Sequence, residues 1–194
     1  GITRGRINKL IAGAYQVLEP LVKRIHEINQ QQGYQKCDES PITTVIEGEK
    51  KKQYLWCLVS AVAVSFFITA KRNKEVARQI IGGATRGVLT SDCLSIYKNL
   101  FSTKINSACL AHLRRKFWYC IPFFPKKSIE VLKLIAKVYK IERKIKYLAP
   151  EAKQKRRQRY TEPILGVIYT TIAGINALPK SSLGRAKNYA LKHW

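Results

Sequence analysis

Aspartate is nearly absent from this sequence: Asp38 and Asp92 are the only two among 194 residues. All acidic residues together number 12, against 36 lysines and arginines, and the formal net charge is +24. A field of this sign attracts polyanions, and solvated surface charge alone does not explain so large an imbalance. Nucleic acid is therefore favoured as the partner over an anionic membrane.

The five cysteines are odd in number and form no C-x-x-C pair. This excludes a disulfide framework and a zinc ribbon, and it favours a reducing, cytoplasmic compartment. Hydrophobic residues make up 46% of the chain, which excludes disorder on compositional grounds.

No apolar run is long enough to span a bilayer comfortably. The uncharged stretch from Tyr54 to Ala70 has 17 residues, whereas a spanning helix needs about 20. Its β-branched and aromatic residues predict two buried strands joined by a turn near residues 60–63. We therefore expect no membrane partner, and a membrane-associated protein anchored by this stretch is the less favoured alternative.

Three regions follow one another along the chain. Residues 1–33 have helical periodicity interrupted by Pro20, which should kink or restart the helix. Residues 34–120 contain five short β-prone runs with one helix after the third, the pattern of an α/β layer. Residues 121–194 are helical in pattern, with a last helix near Ser182.

The two aspartates follow or lie within predicted strands, Asp38 in the first and Asp92 at the end of the fourth. Paired carboxylates at the ends of neighbouring strands can hold Mg²⁺, which prefers hard oxygen ligands. The alternative is that each aspartate is an ordinary turn residue beside a strand.

Basic side chains form two clusters in the second half of the chain. In "HLRRKF" we expect three exposed cations and an inward Phe117, with DNA contact and a merely solvated face as equal alternatives. The run "KQKRRQR" favours DNA contact more clearly. Trp56 and Trp118 are predicted to be core residues rather than base-stacking platforms. The candidate DNA-binding residues are Arg114, Arg115, Lys116, Lys153, Lys155, Arg156, Arg157 and Arg159.

Six blocks in order resemble the insertion sequence 66 family of transposases. The blocks are "CDESP" at 37–41, "YLW" at 54–56, "SDCLSIY" at 91–97, "CLAHLRRKF" at 109–117, "VYKIE" at 138–142 and "PKSSLGRAKNYALKHW" at 179–194. Each block is weak alone, but together they cover the chain from about residue 34 to its last residue.

The resemblance implies a ribonuclease H-like mixed sheet of the DDE type, with a helical lead-in at 1–33, a partial catalytic core at 34–120 and a helical insertion region at 121–194. It implies DNA transposition by metal-dependent strand cleavage and transfer, with Asp38 and Asp92 as catalytic residues binding Mg²⁺ or Mn²⁺. DNA is the implied partner, and a homo-oligomer on DNA is compatible with it. This chain departs from the family pattern at Lys36, Ser40, Cys93, Leu94 and Leu110.

The third acid of the family is expected in an N-N-x-x-E-R block downstream of the tryptophan that matches Trp194, and this sequence has no Asn-Asn pair. Glu142 is the one candidate within the chain. The alternative is a surface glutamate paired with Lys146 one helical turn away. We therefore expect the chain to bind DNA without cleaving it, and a non-catalytic DNA-binding remnant is the alternative function.

Overall fold

A computed structural model describes residues 1–46, 48–83 and 86–194 of the chain. These residues divide into two compact units, Gly1–Ala108 and Cys109–Trp194. The first unit is a sheet with helices, and the second is entirely helical. The predicted α/β class is confirmed, and the two units are described separately below.

The first unit opens with one long helix, α1, at Arg4–Gln30. Thr3 caps it by accepting a hydrogen bond from the Arg6 backbone N–H. The helix continues through Pro20, so the predicted restart there is wrong. Most apolar side chains of α1 are exposed, and Asn29 near its end is the only buried residue of the helix.

Five strands form a mixed sheet in the order β3-β2-β1-β4-β5. The antiparallel part contains β1 at Tyr34–Ile46, β2 at Glu49–Val59 and β3 at Val64–Thr69. The parallel part joins β1 to β4 at Gly87–Ser91 and β4 to β5 at Lys104–Ala108. Helix α2 at Lys74–Ile81, capped by Asn73, lies between β3 and β4 in the chain. All five strands predicted from the sequence are present.

The uncharged stretch at 54–70 is a hairpin, as predicted. The Ser60 backbone N–H donates to the Ala63 carbonyl over 2.9 Å and closes the turn between β2 and β3. The expectation that both strands are buried is wrong for one face of β3: side chains alternate along the strand, and Phe66 and Ile68 are exposed on the face opposite the buried Ser65. No helix within residues 1–46, 48–83 and 86–194 is long and apolar enough to cross a membrane.

A buried polar network crosses one face of the sheet. The Gln35 amide nitrogen donates to the carbonyls of Asn29 and Ile81, and its oxygen accepts a hydrogen bond from Lys104 Nζ over 2.8 Å. Asn29 donates in turn to the Leu58 carbonyl and to Ser65 Oγ. These bonds connect both helices of the unit to four of its strands. They surround an apolar core centred on Trp56, Leu58, Ile81, Leu89 and Tyr97.

The second unit consists of helices α3 at Leu110–Trp118, α4 at Pro125–Ile145, α5 at Pro150–Arg156, α6 at Glu162–Ala173 and α7 at Ser182–Lys192. A π-helical segment, Arg157–Thr161, joins α5 to α6. The helical pattern predicted for 121–194 is confirmed. Helix α3, which the sequence groups with the strands, packs through Leu113 and Phe117 into the core of this unit.

Candidate functional site

Strand β1 presents its two neighbouring acids to opposite faces. Side chains alternate along the strand, so that Gln35, Cys37 and Glu39 are buried while Lys36 and Asp38 are exposed. Glu39 therefore points away from the face that carries Asp38. A single strand therefore supplies one solvent-facing carboxylate and one internal carboxyl group.

Asp38 and Asp92 lie near each other in the register of the parallel strands β1 and β4. The last backbone pair between these strands is Lys36 with Thr90, and each aspartate is two residues further along the chain, Asp38 within β1 and Asp92 just past the end of β4. Neighbouring strands are about 4.8 Å apart, so this register brings the two chain segments side by side at the same edge of the sheet.

The chain turns sharply as soon as β4 ends. Asp92 Oδ1 accepts a hydrogen bond from the Leu94 backbone N–H over 3.0 Å, and this bond forms a local turn. Cys93 has a φ of 65°, in the left-handed region that favours glycine.

The loop after Asp92 is fastened to β1 by a buried hydrogen bond. Tyr97, in a short 3₁₀ turn at Ser95–Tyr97, donates its hydroxyl hydrogen to Glu39 Oε2. Tyr97 is 2% exposed, and Arg72 lies 3.7 Å from the other Glu39 oxygen. The Asp92 loop is thus held to the strand that carries Asp38 by residues 58 positions apart in sequence.

Electrostatics connect the buried carboxyl group to both aspartates. Burial raises the pKa of Glu39 above its usual range, while the Tyr97 hydrogen bond and the Arg72 charge lower it. The Asp92 and Asp38 carboxylates raise the pKa of Glu39 further. Burial also raises the pKa of Cys37, its neighbour on the same face, to about 12. Both aspartates therefore lie close enough to Glu39 for their charges to act on it.

The donor chemistry around the two aspartates is compatible with a hard divalent cation. Mg²⁺ in proteins is commonly bound by one or two carboxylates and keeps several waters. Within the part of the chain that the structure describes, no three His, Cys, Asp or Glu side chains form a group that could hold a metal. An ion bound by two carboxylates alone would retain most of its water ligands.

Glu142 belongs to the second unit, on α4. Its two oxygens accept hydrogen bonds from Arg157 Nε over 2.9 Å and Nη2 over 2.7 Å, a bidentate ion pair. The sequence suggested Lys146 as its partner, whereas the partner seen here is 15 residues away. This carboxylate is already bound by a guanidinium group.

The first basic cluster covers the outer face of α3. Arg114, Arg115 and Lys116 are exposed, and Phe117 is fully buried, as predicted. Trp56 is also fully buried, but Trp118 is 54% exposed, so its prediction as a core residue is wrong. The Arg114 guanidinium lies 5.5 Å from the centre of the Trp118 ring.

The second basic cluster, residues 153–159, follows the end of α5 into the π-helical segment. Arg156 and Arg159 both lie over the Tyr160 ring, at 5.8 and 5.4 Å from its centre. Lys155 is exposed, as are all three arginines of the run, and Lys153 is half-buried. Arg157 differs from the others because it binds Glu142.

Sequence patterns alone missed Glu39, Tyr97 and Arg72 as members of the aspartate site. One signal was present, because strict alternation along β1 requires Glu39 to face inward when Asp38 faces outward. An internal carboxyl group needs a hydrogen-bonding partner. The partner itself lies in another block of sequence, so local spacing could not identify it.

Comparison with known proteins finds one matching family model and one similar curated protein. The family model described as "Transposase IS66 family" matches residues 1–194. The chain is also similar to "Uncharacterized protein y4jD" of Sinorhizobium fredii (strain NBRC 101917 / NGR234), with 28% identity over 200 residues, covering 91% of this chain and 39% of that protein. The chain thus spans about two fifths of the length of this curated relative.

Proposed function

Because the chain belongs to the IS66 transposase family, we propose that it contributes to DNA transposition through a metal-binding core and a DNA-binding helical region. The core is the sheet unit, in which Asp38 and Asp92 would hold Mg²⁺ or Mn²⁺. The helical unit would bind the phosphate backbone through its two basic clusters. Both roles take place in the cytoplasm in this proposal, in agreement with five free cysteines.

The strand order supports a ribonuclease H-like assignment for the core. Three antiparallel strands continue into two parallel ones, and a helix separates the third from the fourth in the chain. This mixed sheet is compatible with the fold that the family resemblance implies. The helices after β5 then correspond to the insertion region.

The register of β1 against β4 is the observation that carries the metal proposal. Two aspartates at the same distance past the last backbone pair would be able to share a cation. A bound divalent ion would activate water or a 3′ hydroxyl as the nucleophile and stabilise the leaving oxygen. The chain's own contribution is to position the two carboxylates and to fix the Asp92 loop through Tyr97 and Glu39.

Cleavage needs more than these two carboxylates. Glu142, the one candidate for a third acid, binds Arg157 through both oxygens, and its use as a metal ligand would break this bidentate ion pair. Metal-dependent strand cleavage commonly uses two ions, and without a third carboxylate the second ion would be held loosely and the reacting oxygens would be misplaced. We therefore expect this chain to bind a divalent ion and DNA, with no nicking of DNA in Mg²⁺ or Mn²⁺.

A DNA-binding protein without metal chemistry is the second candidate function, and the Glu142–Arg157 ion pair favours it. Metal binding separates the two candidates. Mn²⁺ titration followed by electron paramagnetic resonance should show a bound ion that is lost in Asp38→Asn and in Asp92→Asn. Asparagine can still accept the Leu94 hydrogen bond, so the turn is preserved. The control is Glu75→Gln, an exposed acid at the start of α2, which should bind like the wild type.

DNA binding is tested by its dependence on salt. Affinity for duplex DNA should fall steeply as salt rises, because bound cations release counterions from the phosphates. Replacing Lys153, Lys155, Arg156 and Arg159 together by Gln should reduce the log–log slope by up to about 4. Arg157 is left unchanged because it stabilises Glu142. Absence of Mn²⁺ binding would remove the metal proposal, and salt-independent binding would remove the phosphate proposal.

A further inference from the structure

A groove runs between α3 and α4 in the helical unit. Its α3 side is formed by residues at helical spacing, Ala111, Arg114, Arg115 and Trp118, and its α4 side includes Ala136 and Tyr139. The two alanines have the smallest side chains among these residues. They leave open space between larger residues that line the rest of the groove.

The groove is strongly cationic. Arg114 and Arg115 contribute from α3, while Arg143 and Lys146 contribute from the end of α4. The one acid of its lining, Glu142, is bound to Arg157 by two hydrogen bonds of 2.7 and 2.9 Å. The negative charge of Glu142 is therefore neutralised by an ion pair within the protein. The groove is suited to a ligand that carries several negative charges.

An exposed indole ring lies in the same groove. Trp118 is 54% exposed, although exposing an aromatic surface of this size is unfavourable without a partner. The nearby Arg114 keeps the ring in a defined place through a cation–π contact. Flat aromatic surface beside arginines is the arrangement that stacks unpaired bases while the cations follow the phosphates.

We propose that the α3–α4 groove binds single-stranded DNA, with phosphates along Arg114, Arg115, Arg143 and Lys146 and a base stacked on Trp118. This inference rests on the proposed function for its choice of DNA, and it adds the form of DNA and a residue that reads it. The second basic cluster is a separate surface in this proposal and serves duplex binding.

The size of the groove separates single strands from duplexes. The axes of packed helices are about 8–10 Å apart, so a groove between two of them is narrower than a B-form duplex. A duplex also keeps its base faces stacked inside, where Trp118 could not reach them. A single strand is thin enough to enter and presents both its phosphates and its base faces.

The test uses tryptophan fluorescence, and the chain provides a matched control. Trp118 and Trp194 are similarly exposed, at 54% and 52%, while Trp56 is fully buried. In Trp194→Phe, an oligothymidine of about ten nucleotides should quench the emission, and in Trp118→Phe it should quench much less. A duplex of the same length should quench neither variant.

Affinity measured on the full chain completes the test. Trp118→Ala should weaken oligothymidine binding roughly 5- to 150-fold, the loss expected for one stacked base, and leave duplex binding within about twofold. Trp118→Phe should restore most of the affinity, and Trp194→Ala should match the wild type. Circular dichroism of Trp118→Ala should match the wild type, since the side chain lies outside the core.

Four results would overturn the inference. Equal losses in Trp118→Ala and Trp194→Ala would exclude a specific stacking site, and an equal loss for duplex would assign Trp118 to general binding. Tighter binding of an oligouridine ribonucleotide would assign the groove to RNA. If the wild type binds duplex DNA but Trp118→Ala binds oligothymidine as tightly as the wild type, this inference alone fails. If the wild type binds no DNA of either form, the proposed function is refuted.

Discussion

Removing one hydroxyl group, in Tyr97→Phe, tests whether the Asp92 loop is held by a buried hydrogen bond. The ring of Tyr97 is 2% exposed, and phenylalanine fills the same space, so no cavity forms. The variant loses the bond from Tyr97 to Glu39 Oε2 and the weaker hydrogen bond between Tyr97 and Cys37. Arg72 then remains 3.7 Å from the other oxygen, too far for a full hydrogen bond. Leaving a buried acceptor unsatisfied should lower the free energy of unfolding by about 1–3 kcal/mol.

Urea unfolding measures this loss, and Tyr15→Phe is the control because Tyr15 is 63% exposed on α1. The control should stay within about 0.5 kcal/mol of the wild type. A double-mutant cycle with Glu39→Leu adds a second measurement. Because the double variant replaces both partners by apolar groups, it should lose about 1–2 kcal/mol less than the sum of the two single losses.

The same variant links stability to the proposed metal site. Freed from β1, the Asp92 loop should position its carboxylate less well, so Tyr97→Phe should bind Mn²⁺ more weakly than Tyr15→Phe does. The reasoning is refuted if Tyr97→Phe is as stable as Tyr15→Phe. It is also refuted if the cycle shows no coupling between Tyr97 and Glu39.

Three further predictions concern the scaffold. In Gly184→Ala the new Cβ would lie 2.1 Å from the Leu178 carbonyl oxygen, so the free energy of unfolding should fall by more than about 1 kcal/mol. In Gly166→Ala the new Cβ has open space around it, so the free energy of unfolding should rise by about 0.5–1 kcal/mol. Urea unfolding measures both changes. Burial lowers the pKa of His26, so the unfolded chain binds this proton more readily; the free energy of unfolding should fall as pH drops below about 6.5, and less so in His26→Gln. Trp56→Ala should cost about 3–5 kcal/mol, because the side chain is fully buried, and a loss below 1 kcal/mol would contradict this packing.

The strands could be predicted because their signals are local. Alternating and β-branched runs, such as the uncharged stretch at 54–70, indicate strands without knowledge of the partner strand. The start of α2 has a similarly local signal in the capping side chain of Asn73. The positions of Asp38 in β1 and of Asp92 at the end of β4 followed from these strands.

One missed feature, the partner of Glu142, depends on a contact between distant residues. Glu142 binds Arg157 instead of a residue one turn away, because tertiary packing brings α4 and the π-helical segment together. Trp118 could have been placed from spacing alone. Leu113 and Phe117 share a buried face at i,i+4, and Trp118 is turned about 100° from Phe117 toward Arg114.

The buried polar network around Gln35 fixes the register of β1 and so determines which of its two acids faces solvent. Asp38 and Glu39 are neighbours in a strand of period two, so a slip of one residue would exchange them, burying the aspartate and exposing the glutamate. Gln35 lies on the inner face of the same strand, where it bonds Asn29, Ile81 and Lys104 at once. A slipped strand would turn Gln35 outward and break all three bonds together. The network therefore destabilises the one-residue slip of β1, which is the pairing that would expose Glu39 in place of Asp38.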